Sequence, residues 1–230
     1  MIRAVATDVD GTITDSNSIM NLAAVDAIRD LESRGIMVML CSGNALCVLK
    51  ALARYIGCTG PAIAENGAVI EYRGKLKIIG ERGLAQRAVC CLKEEFGESI
   101  KETWSNKYRY VDAAIMRTID LKDVEGAVSR IQGVKVIDSG FAYHIIDRNV
   151  DKGKGLQCAA KWAGIDPKEI AGVGDSTTDC ELLRTAAYRY AVANAAPELK
   201  EVAEMVADKQ YGDGFAEIAK AIIAKSGARM

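Results

Sequence analysis

Ile2-Arg3-Ala4-Val5-Ala6-Thr7-Asp8-Val9-Asp10-Gly11-Thr12 opens the chain as an apolar run that ends in two aspartates, a glycine and a threonine. Ile2 to Thr7 reads as a strand, and a continuous apolar run is what a strand covered on both faces of a parallel sheet requires. Residues two apart in an extended chain face the same way, so Asp8 and Asp10 project together beyond the strand. Gly11 releases the chain from strand geometry and lets its backbone approach a ligand closely.

The pattern continues outward as strands alternating with helices. Asn21 to Arg34 carries Leu22, Val25, Ile28 and Leu31 at near-helical spacing and stops at Gly35. Ile36 to Cys41 is a second apolar strand, followed by Ser42-Gly43-Asn44 and a helix from Ala45 to Ile56. Ala62-Ile63-Ala64 is short and apolar, and Val69–Tyr72 with Leu76–Ile79 around Arg73-Gly74-Lys75 predicts a hairpin. The middle changes character. A helix over 84–96, a strand over Tyr108–Met116, a helix over 120–132 and two strands, Val134–Ile137 and Phe141–Ile146, predict an α+β insert. Alternation resumes after Asp151-Lys152-Gly153, with a helix to Ala163, a strand at Ile170–Val173 and a helix at Asp179–Ala187. A strand at Arg189–Ala193 and helices at Pro197–Ala203 and Ala216–Ala224 complete it. The expected fold is α/β: a Rossmann-like parallel-sheet core from residues 1–80 and 152–230, with a smaller α+β domain, 81–151, inserted.

Composition narrows the function. The 230 residues allow one large or two modest domains, and with 50% hydrophobic residues they can bury a sizeable core. A net charge of −1 supplies no basic field for nucleic acid. No apolar run is long enough to span a bilayer, and Met1–Thr7 is too short for a signal peptide, so a soluble cytoplasmic protein is expected. The 7 cysteines include no Cys-x-x-Cys pair, and most lie in apolar runs. They are read as small buried hydrophobes, not as a disulfide framework or zinc site. His144 is the one histidine and lies in a predicted strand, so acid–base chemistry is left to carboxylates or lysines.

Ligands of open α/β sheets bind beyond the carboxyl ends of the strands. Three polar clusters follow apolar strands here: Asp8-Val9-Asp10-Gly11-Thr12, Ser42-Gly43-Asn44 and Gly174-Asp175 through Asp179. A fourth, Asp151-Lys152-Gly153, begins a helix from which Lys152 could reach the same edge. Each alone has a plain structural reading: a strand-to-helix cap, a first-turn carboxylate, a surface lysine. Together they gather several carboxylates, which need a cation, and oxygen ligands without Cys or His favour Mg²⁺. Ser42, Thr12, Lys152 and N–H groups near Gly11 and Gly43 offer donors to a phosphate dianion. Neither dinucleotide nor P-loop glycine motifs occur. One aspartate of the first pair can attack phosphorus, and the other can protonate the leaving oxygen and then activate water.

These four motifs, in order, resemble the haloacid-dehalogenase-like phosphatases: D-x-D-G-T at Asp8–Thr12, Ser42 after a strand, Lys152, and G-D-x-x-x-D at Gly174–Asp179. Glu65-Asn66-Gly67 and the position of the insert resemble the branch with a type IIB cap. The short chain and Ser42-Gly43-Asn44 resemble archaeal-type phosphoglycolate phosphatases. The resemblance implies that Asp8 is nucleophile and metal ligand, and that Asp10 is acid/base and a further ligand, commonly through its carbonyl. It implies that Asp175 and Asp179 hold or orient the Mg²⁺ shell, that Lys152 binds phosphate, and that Ser42, with Gly43 and Thr12 beside it, contacts the phosphoryl group. A small phosphorylated acid is the implied substrate. Sugar phosphates, mannosyl-phosphoglycerate and a non-catalytic phosphate-binding role stand as alternatives. Cap cations that could meet a substrate carboxylate are Arg109, Lys107 and Arg117, and Trp104 and Tyr108–Tyr110 are candidate pocket walls. A homodimer is compatible with so compact a chain.

Overall fold

In the computed structural model, which describes residues 1–227, eleven strands and eight helices are found among the described residues. In chain order the first half comprises β1 (Ala4–Thr7), α1 (Leu22–Ser33), β2 (Met37–Leu40), α2 (Leu46–Ile56), β3 (Ala62–Ala64), β4 (Val69–Tyr72), β5 (Lys75–Ile78) and α3 (Leu84–Phe96). The second comprises β6 (Ala113–Met116), α4 (Leu121–Val128), β7 (Val134–Asp138), β8 (Ala142–Asp147), α5 (Lys152–Ala163), β9 (Ile170–Gly174), α6 (Cys180–Thr185), β10 (Tyr188–Ala191), α7 (Pro197–Val202), β11 (Met205–Val206) and α8 (Tyr211–Gly227).

β11-β10-β9-β1-β2 form one parallel sheet, so the chain is α/β with a parallel core, as the alternation of elements implies. Side chains of successive strand residues enter opposite layers. Val5 and Val38 pack with α1 and α8 on one face, while Ala4, Ala6 and Met39 pack with α5 and α6 on the other. Register positions the site. Thr7 lies opposite Leu40 on β2 and Val173 on β9, so the chain leaves all three strands at one level. Asp8 N–H still donates to Val173 O at 2.9 Å and Cys41 N–H to Thr7 O at 2.8 Å, which holds the loop entries together.

A second layer stands over that edge. β6, β8 and β7 form an antiparallel sheet whose Ala113, Ile115, Tyr143 and Ile145 pack on α3 and α4 as a separate apolar cluster. Ala114, Met116, Ala142 and His144 alternate with these and face the opposite way, toward the loops of the parallel sheet.

Three differences from the sequence reading have physical causes. The strand expected over Tyr108–Met116 begins only at Ala113, because the N–H groups of Tyr110, Val111 and Asp112 are taken by the Glu65 carboxylate, at 2.8, 2.8 and 3.1 Å. β11 escaped notice because two residues carry no periodicity. Cys47, Cys90 and Cys91 are exposed, since α2 and α3 turn other residues inward; Cys58 and Cys158 are half-buried, and Cys41 and Cys180 are buried. No helix among the described residues is long and apolar enough to cross a membrane.

Glu65 thus clasps the segment that enters β6. Burial pushes its carboxyl up to about 7, Asp112's charge adds to this, and the three N–H donors oppose it. A folded-state value above the ordinary 4.5 favours the protonated folded form. That contribution is full below about pH 4.5 and is lost as pH rises through 7, a difference worth up to about 3 kcal/mol. Glu65→Gln is therefore expected to reduce the decline of melting temperature across this window; an unaltered slope would remove Glu65 as its source.

Candidate active site

The three strand ends and the first turn of α5 meet around a cavity of about 880 Å³ lined by Asp8, Asp10, Ser42, Gly43, Lys152 and Asp175 among others. Asp8 is almost wholly buried, and its Oδ1 accepts from Lys152 Nζ at 2.7 Å. Asp151 caps α5 by accepting from Lys154 N–H, which places Lys152 as the first helical residue. The Lys152 side chain runs inward to a second acceptor, Asp179 Oδ1, at 2.6 Å. Burial works against its charge, but Asp179 and Asp8 outweigh it and hold the ammonium well above the usual lysine range.

Asp179 is fully buried and uses both oxygens. Oδ2 accepts from the N–H groups of Asp175 and Ser176 at 3.1 and 3.0 Å, while Oδ1 meets Lys152. It both caps its own loop and belongs to the acidic cluster. One oxygen each from Asp8, Asp175 and Asp179 lies within 4.8 Å of the others. Burial pushes Asp8 up, Lys152 pulls it back, and Asp179 and Asp175 push it further up; the net shift is well upward. Burial, with Asp179's charge, carries Asp175 to about 6. Carboxylates that burial and mutual repulsion drive toward protonation are a fitting seat for a hard divalent cation, which would restore their charge.

Asp10 stands apart from that trio. Its Oδ2 accepts from Asn44 Nδ2 at 2.7 Å, and Asn44 also donates to Ser42 Oγ at 3.1 Å from both its backbone and side-chain nitrogens. Ser42 Oγ thereby accepts from Asn44 and keeps its own hydrogen for a ligand. The alternative reading of Ser42-Gly43-Asn44 as a helix cap is not realised, since Ala45 occupies the N-cap of α2 without a side-chain bond.

Several expected residues take other places. Thr12 is fully buried and donates to Asp175 Oδ1 at 3.0 Å, so it holds that carboxylate and does not line the cavity. Gly11 N–H is spent on Thr14 Oγ1 at 2.9 Å, whereas the N–H groups of Asp10 and Gly43 have no protein acceptor among the described residues. Gly11 is required all the same, with φ +82° and a position where a Cβ would collide with the Asp175 carboxylate. Arg109 lines the cavity, but Lys107 and Arg117 do not; Lys107 lies over the Tyr108 ring, and Arg117 pairs with Asp138. Trp104 is at the cavity mouth, while Tyr108 and Tyr110 border a separate depression.

Two contributors were not among the site residues expected from the sequence. Asn66 has φ +55° and turns a buried, unpartnered Nδ2 within the cavity wall. His144, from β8, also lines the cavity.

Comparison with known proteins agrees with this geometry. The profile of haloacid dehalogenase-like hydrolases matches residues 5–114 and 98–219. A phosphoglycolate phosphatase of Methanoculleus marisnigri is 40% identical over 226 residues, covering 96% of each chain. One of Methanospirillum hungatei is 37% identical over 222 residues, covering 95% of each. The crystal structure of Thermoplasma acidophilum 0175 superposes with a TM-score of 0.88 at 27% identity, over 97% of this chain and 99% of that one. With an acidic trio, a buried lysine and a serine loop converging at the carboxyl edge of a parallel sheet, the chain belongs to the haloacid dehalogenase-like hydrolases and is a phosphatase of that family.

Proposed function

We propose that the protein is a magnesium-dependent phosphomonoesterase that hydrolyses 2-phosphoglycolate to glycolate and phosphate. The observation that carries the reaction is the buried Lys152 ammonium bonded at once to Asp8 and Asp179, with Asp8 facing the same cavity as Asp10. A phosphate dianion would be received by Lys152, the Ser42 hydroxyl and the free N–H groups of Asp10 and Gly43. An Asp8 oxygen attacks phosphorus, forming an aspartyl-phosphate and expelling the alkoxide. Asp10, oriented by Asn44, protonates that alkoxide and then takes a proton from the water that attacks the phosphoenzyme. Asp8, Asp175 and Asp179, with the Asp10 carbonyl, would hold Mg²⁺, which when bound neutralises negative charge on the phosphoryl oxygens.

The choice of 2-phosphoglycolate rests on the names of the relatives and on the basic side chains of Arg109 and His144 in the cavity wall. The cavity also has room for a sugar phosphate, a second reading that the same assay decides. Phosphate release from a panel of phosphomonoesters should be greatest with 2-phosphoglycolate, require Mg²⁺ and fall to background with EDTA. Activity undiminished by EDTA would overturn the metal requirement, and a sugar phosphate turned over faster would overturn the substrate.

A further inference from the structure

We propose that His144, held by Asp112, is the residue that binds the carboxylate end of the substrate and so sets the preference for acid-bearing phosphate esters. This rests on the reading of the substrate as a small phosphorylated acid.

Part of the cavity wall is the open face of the β6–β8 pair. Ala114 lies opposite His144 in one ladder and Ile137 in the other, so the ring stands between a small and a larger apolar side chain on the face that lines the cavity. Of the residues that this layer contributes to the cavity, Arg109 and His144 alone are basic. Arg109 is partly committed, with Nη2 left without a protein acceptor among the described residues. Its Nε donates to Ser105 Oγ at 3.2 Å, and its Nη1 donates to both Gly43 O at 2.9 Å and Asp112 Oδ1 at 2.6 Å.

Asp112 is fully buried, and its Oδ2 lies 3.0 Å from His144 Nδ1. A carboxylate only accepts, so Nδ1 carries the proton of this bond and the ring is oriented by it. Nε2 then has no protein partner among the described residues, and the ring lines the cavity. An N–H at Nε2 would donate to an arriving carboxylate, with the Asp112 carboxylate holding the ring from behind. Three hydrogen bonds, from Gly43 O through Arg109 and Asp112 to His144, tie this group to the loop that receives the phosphate. Both ends of a short substrate are thereby measured from one rigid chain of contacts. A merely packed histidine would explain the Asp112 bond, but not the unpartnered Nε2 in the wall of the cavity.

The test compares 2-phosphoglycolate with ethyl phosphate, which keeps the ester and lacks the carboxylate, in the Mg²⁺-loaded wild type and in His144→Ala. Wild type should prefer 2-phosphoglycolate. His144→Ala should raise KM for 2-phosphoglycolate about 10- to 100-fold, the loss of one charge-assisted hydrogen bond, and leave kcat/KM for ethyl phosphate within about threefold. His144→Gln, which keeps a polar side chain of similar reach but no charge, should show the same selective loss to a smaller extent and guards against a packing defect in the alanine variant. Equal losses on both esters in both variants, or an undiminished acid preference, would overturn the role of His144 while leaving the substrate reading intact. A wild type without acid preference would overturn the substrate reading and this inference with it.

Discussion

Asp8→Asn should lower phosphate release at least about a thousandfold while leaving the melting temperature unchanged or raised. The two halves of this expectation have one origin. Asp8 is buried at the end of β1, and burial together with Asp175 and Asp179 outweighs Lys152 in driving its carboxyl upward. Ionising it in the folded protein is therefore costly, and a neutral amide of the same shape removes that cost while its Oδ1 can still accept from Lys152. The amide oxygen cannot serve as the attacking carboxylate, so no aspartyl-phosphate forms. Phosphate release and thermal unfolding on the same preparation check both halves. Turnover within a few-fold of wild type would remove Asp8 as nucleophile, and a marked drop in melting temperature would show that its charge is structurally required.

Lys152→Met should lose activity and stability together, in contrast. Methionine fills the volume and strands Asp8 and Asp179, each of which had a bond of 2.7 or 2.6 Å to the ammonium. Removing one partner of a buried ion pair costs about 3–5 kcal/mol, because the other charges remain uncompensated. The ammonium's folded-state value lies above the ordinary lysine range, so its contribution is complete at every pH below the ordinary value and declines only as pH rises beyond it. The deficit should thus be present throughout neutral pH. In the assay, kcat should fall and KM rise, with kcat/KM down at least about a hundredfold, since the same group would meet the substrate phosphate. An unchanged kcat/KM would place Lys152 outside the reaction. Excess Mg²⁺ should restore part of the lost melting temperature, because a cation among Asp8, Asp175 and Asp179 replaces some of the missing charge.

The residues differ in how far they were legible before any coordinates. Asp8, Ser42 and Asp175 each directly follow an apolar run or lie one residue beyond it, and a parallel sheet must bring such positions to one edge. Lys152 was harder, since a lysine at a helix start is ordinarily solvated; only the turn capped by Asp151 aims it at Asp8 and Asp179. Thr12 illustrates the opposite case, with the right loop but a hydroxyl turned to Asp175.

What the amino-acid order determined without help is the parallel core, the acidic edge and the class of chemistry, because strand periodicity and the residues after each strand are local properties of the chain. Only the tertiary structure decided which donors are taken and which remain free: Asn44 is spent on Asp10, the Asn66 amide is unpartnered, and Arg109, Asp112 and His144 form a bonded chain. The reason is that a hydrogen bond between residues as distant as Gly43 and Arg109, or Asp112 and His144, leaves no periodic trace in sequence. A side chain's role is set by which of its partners the fold has already supplied.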